Sequence, residues 1–112
     1  MVTVDVIDMI DINALLKEAE SAPMGKEIDD ICQELSLFLR VKNARYANSV
    51  SEPLNVFSKA GPNDQINSRM DDKLMRIKNS PVERRNDFVD LTGYLVLKCL
   101  ENDWTDFKTM LD

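Results

Sequence analysis

The sequence predicts an all-α fold, a small helical bundle of about four main helices with a long loop between the second and the third. Three observations carry this expectation. Apolar side chains recur at three- and four-residue spacing over several stretches, the period of one helix face. Strand-like alternation is confined to Val2, Val4 and Val6. No internal repeat or low-complexity tract interrupts the 112 residues, and 44% hydrophobic content suits one domain, 1–112, that buries a core without metal or disulfide staples.

The N-terminal segment, 1–20, leaves that alternation for a helix around Ile12, Leu15 and Leu16, and "SAPMGK" then breaks the chain at Pro23 and Gly25. From Glu27, the residues Ile28, Ile31, Cys32, Leu35, Phe38 and Leu39 form the stripe of a second, amphipathic helix. Residues 43–65, with Pro53, Gly61, Pro62 and several Asn and Ser, read as a long loop, a length often associated with function. Ile66, Met70, Leu74 and Ile77 mark the apolar side of a third helix. "SPVE" then reads as a helix start, with Ser80 as N-cap, Pro81 at the first helical position and Glu83 completing a capping box. The fourth helix runs from there to about Leu100. In the tail element, 101–112, Trp104, Phe107 and Leu111 form a short apolar strip, expected to cover the core.

Charge and composition exclude several classes. No apolar run approaches the roughly 20 residues of a membrane span, and the N-terminus has no secretory signal, so a cytoplasmic protein without a membrane partner is expected. Net charge is −6, with nine acids against two bases in residues 1–34 and eleven against twelve thereafter. Duplex nucleic acid, which requires a strong basic footprint, is an unsuitable partner. Cys32 and Cys99 lie in helical patterns and are read as reduced packing residues. The chain has no histidine. That removes the commonest general base and zinc ligand, and any metal would be a hard ion such as magnesium or manganese on carboxylates.

Chemistry concentrates in two places. On the fourth helix Glu83, Asp87, Asp90 and Tyr94 share one face, and on the third Arg69, Asp72, Lys73 and Arg76 share another. A short connection favours antiparallel packing, so the stripes can meet. Either Asp87 and Asp90 pair with Arg69, Lys73 or Arg76 and set helix register, or Asp72, Asp87 and Asp90, with Asp30 or Glu34, hold magnesium while the bases hold phosphates. The second place is "KNARYANS", where Tyr46 offers a stacking surface and Asn43, Asn48 and Ser49 offer hydrogen bonds to a base. The plainer alternative there is a capped helix end.

"KNARYANS", "FSK" at Phe57 to Lys59, "RMDDKLMRI" at Arg69 to Ile77 and "DFVDLTGYLVL" at Asp87 to Leu97 together resemble the phage and prophage nucleotide modification associated domain family. The resemblance spans roughly residues 42–100. It departs at Arg45, where the family often has an acid, and at Ala47, where it often has glycine. More distantly, the chain is similar to MazG-type all-α nucleoside triphosphate pyrophosphohydrolases, whose acidic pairs bind magnesium. Asp30 with Glu34 and Asp87 with Asp90 match those pairs loosely. The resemblance implies a phage-type nucleotide-binding protein, with magnesium-dependent hydrolysis of a nucleoside triphosphate or nucleotide modification as the expected activity, a magnesium or manganese cofactor and a host cytoplasm. The alternative is a non-enzymatic phage protein that binds a host factor or sequesters a small nucleotide, with the acidic N-terminal third and the Trp104 to Leu111 strip as its surfaces. A homodimer is a further expectation for a helical bundle of this kind.

Overall fold

The computed structural model describes residues 10–46 and 60–111. Among them the fold is all-α: α1 (Ile12–Glu20), α2 (Gly25–Tyr46), α3 (Pro62–Asn79) and α4 (Arg85–Glu101), followed by a single 3-10 turn, Phe107–Met110. The alternating valines at 2, 4 and 6 lie outside the described residues. None of the described helices is long and apolar enough to cross a membrane.

Local sequence explains the helix boundaries. Asp11 caps α1, its carboxylate accepting a hydrogen bond from the Ala14 amide at 3.1 Å. Residues 21–24 separate α1 from α2 around Pro23, as expected. Pro62 opens α3 with Gly61 as N-cap, using a ring that lacks an amide proton where no helical partner exists. At the end of α4 the Trp104 amide donates to the Cys99 carbonyl at 2.8 Å and the Asp103 amide to Leu100 at 3.2 Å. These bonds form a Schellman motif, with Asp103 in the left-handed region at φ 58° where glycine is usual.

Two boundaries differ from the sequence expectation. Both ends of the stretch expected as a loop, 43–65, are helical: α2 continues through Asn43 to Tyr46 and α3 begins at Pro62, while 47–59 lie outside the described residues. The short "NARY" segment contains no breaker, and Pro62 starts a helix instead of interrupting one. The capping box at Ser80 does not form. Ser80 is extended (φ −78°, ψ 130°) and ends α3, and its hydroxyl donates to the Val82 carbonyl. Arg84 precedes α4 without a side-chain cap, leaving Glu83 in the connection and off the helix face.

Contacts divide the chain into two compact units, Met1–Leu37 with Asp106–Asp112 and Phe38–Thr105. In the first, Ile12 and Leu16 of α1 and Ile28 and Ile31 of α2 are exposed, as is Phe107. Trp104 in the second unit and Leu111 in the first are exposed too, so the expected apolar strip of the tail does not bury itself. In the second unit α3 and α4 pack antiparallel. Asn63 near the start of α3 exchanges amide hydrogen bonds with Asn102 at the end of α4 (2.8 and 3.2 Å), and Lys98 donates to Asn67 at 2.8 Å.

The inward stripe of α3 is Ile66, Met70, Lys73 and Ile77, at i, i+4, i+7 and i+11. Ile66 is fully buried, while Leu74, expected in the core, is half exposed. Position 73 follows the helix face as well as position 74 does, and the acids of α4 require a base there. The C-terminal end of α2 reaches α4 at Gly93, which is buried. A Cβ at that position would lie 2.9 Å from Leu39 Cδ2, so the missing side chain is what admits Leu39.

Candidate functional site

The site is built where the C-terminal end of α2, the middle of α3 and the first half of α4 converge. Asp87 lies in the first turn of α4 and is 3% exposed, the one buried charged side chain among the described residues. Asp90 lies one turn further. The Lys73 ammonium stands between their carboxylates, 2.9 Å from Asp90 and 3.7 Å from Asp87. Register pairing of these aspartates with a base of α3, one of the two expectations, is therefore present, and Lys73 makes it. Burying a carboxylate carries a desolvation penalty of several kcal/mol, which a close ammonium offsets in good geometry.

Lys42 on α2 extends the cluster. Its ammonium lies 3.9 Å from Asp90, 5.3 Å from the centroid of the Phe38 ring and 5.7 Å from that of Tyr46. Phe38, Lys42 and Tyr46 stand at i, i+4 and i+8, so one helix face presents cation and rings together. Tyr46, the last residue of α2, is 62% exposed and leaves its ring available. Asn43 is exposed beside it, while Asn48, Ser49, Phe57 and Lys59 fall outside the described residues.

Arg69 and Arg76, one turn before and one turn after Lys73, are exposed, and no ion pair engages either of them among the described residues. Asp72 is exposed on α3. Among the described residues no group of three or more His, Cys, Asp or Glu side chains is placed to hold a metal, so Asp72 does not complete a set with Asp87 and Asp90. Tyr94 sits half-buried on the inner face of α4, one turn beyond Asp90. Asp30 pairs with Lys26 at 2.8 Å within α2, and Glu34 is exposed on the same helix.

Sequence reading placed Asp87, Asp90 and Lys73 together but missed Lys42. The available signal was its spacing, four residues from an aromatic on either side.

Fold and site define an all-α domain with an Asp-Lys-Asp cluster, buried at Asp87, next to an exposed aromatic. Comparison with family models, curated proteins and solved structures returns no match for the chain.

Proposed function

We propose that the chain is a nucleotide-binding domain that takes a nucleoside triphosphate in its magnesium form at the α2–α3–α4 cluster. The observation that carries this reading is Lys42, which bridges the exposed Tyr46 ring and the Asp87–Lys73–Asp90 group through Asp90. An aromatic surface, cations and a carboxylate pair are the three things a metal-bound nucleotide needs, and Lys42 links the Tyr46 ring to Asp90. The resemblance to phage nucleotide modification associated proteins points to the same class of ligand.

In this reading the Tyr46 ring stacks on the base and Asn43 contacts its edge. Arg69, Arg76 and Lys73 along α3 neutralise phosphate charge, the guanidinium groups doing so with two parallel hydrogen bonds each. Asp87 and Asp90 suit magnesium because they already share one cation, the Lys73 ammonium, and magnesium at phosphates usually needs only one or two protein carboxylates. When bound, the metal would neutralise charge on the phosphate oxygens and lower the pKa of its water. Lys73, released from the carboxylates, is then free for phosphate.

Equilibrium binding of a slowly hydrolysed nucleoside triphosphate tests this with two variants. Asp90→Asn, on a half-exposed carboxylate, should remove the magnesium-dependent part of the affinity. Tyr46→Ala should weaken binding about tenfold, in keeping with the roughly 1–3 kcal/mol of one base–aromatic stack. Wild-type affinity in both variants would place the ligand elsewhere or rule it out.

A further inference from the structure

Two exposed apolar faces carry opposite charge. On the first half of α2, Ile28 and Ile31 stand side by side at 55% and 70% exposure, with Asp29 and Glu34 on either edge of the stripe. On the outer face of α4, Phe88, Val89 and Leu95 are exposed and follow Arg84 and Arg85 at its start. That face points away from Asp87, Asp90 and Tyr94, which occupy the opposite side of the helix. Patches of this kind, apolar at the centre and charged at the rim, are characteristic of protein–protein surfaces.

We infer that the chain associates with a second copy of itself, the acidic α2 face of one copy docking on the basic α4 face of the other. Charge selects this arrangement. Two α2 faces would set Asp29 and Glu34 against their own kind, and two α4 faces would set Arg84 and Arg85 against theirs. Pairing unlike faces buries the apolar side chains and neutralises both rims. Exchanged reciprocally about a two-fold axis such a contact forms a dimer; repeated one way it is heterologous and forms a larger assembly.

Two charge-reversed variants test the inference by sedimentation and light scattering: Asp29→Lys with Glu34→Lys, and Arg84→Glu with Arg85→Glu. All four positions are exposed, and an unchanged circular dichroism spectrum would show each variant folded. The wild type should run at twice its 12.8 kDa mass or more. Each variant alone should run as a monomer, because both of its faces then carry one sign. The equimolar mixture should associate again, since every unlike pair is restored. A monomeric wild type would overturn the inference, as would a variant that associates alone like the wild type, or a mixture that stays monomeric.

Discussion

Replacing Lys73 with Met lowers the thermal unfolding midpoint by about 12 °C. The substitution keeps most of the side-chain volume and removes the charge, leaving Asp87 at 3% exposure without the ammonium beside it. Removing one partner of a buried ion pair costs about 3–5 kcal/mol, and the lower figure applies because Asp90 can take up water. For a domain of this size each kcal/mol moves the midpoint by about 4 °C. The double variant Lys73→Met with Asp87→Leu should recover much of the loss, because no uncompensated charge is then buried. Circular dichroism melts of the wild type and both variants check this. A loss under about 1 kcal/mol in Lys73→Met would mean that Asp87 is hydrated and that the cluster does not hold α3 against α4.

Ile66→Ala should destabilise the protein by about 3 kcal/mol, within the usual range for emptying a fully buried aliphatic site. Leu74→Ala, two turns along the same helix, should cost under about 1 kcal/mol because its side chain is half in water. Urea unfolding of the two variants separates them. Equal losses would mean that the inward face of α3 runs through Leu74 after all and that Lys73 lies at its edge.

These two residues also show how far the sequence could be read. Periodicity located α3 and its apolar side, and Ile66, Met70 and Ile77 lie where their spacing puts them. Spacing alone cannot separate positions 73 and 74, which flank the same face. The choice is made by Asp87 and Asp90 on another helix, and only tertiary pairing reveals it. Ser80 shows a second limit. "SPVE" satisfies a helix start by residue type, but Ser80 ends α3 and spends its hydroxyl on the Val82 carbonyl. Gly61 and Pro62 show the converse, since residues read as part of a loop are the start of α3.

In the site, the candidate bases and acids were legible because they recur at helical spacing on two adjacent segments. Lys42 was not, because its significance lies in reaching Asp90 from a third helix. That convergence depends on α2 continuing to Tyr46 and on Gly93 admitting Leu39, neither of which a local pattern encodes.

The most direct test of the nucleotide site is thermal unfolding of the wild-type chain with a slowly hydrolysed nucleoside triphosphate, with and without magnesium. At about 100 times its dissociation constant the ligand adds roughly 2.7 kcal/mol, so the midpoint should rise by about 10 °C with magnesium present and by clearly less without it. A midpoint that no ribo- or deoxynucleotide moves, with or without metal, would contradict the account and leave Asp87, Lys73 and Asp90 as a structural clasp between α3 and α4.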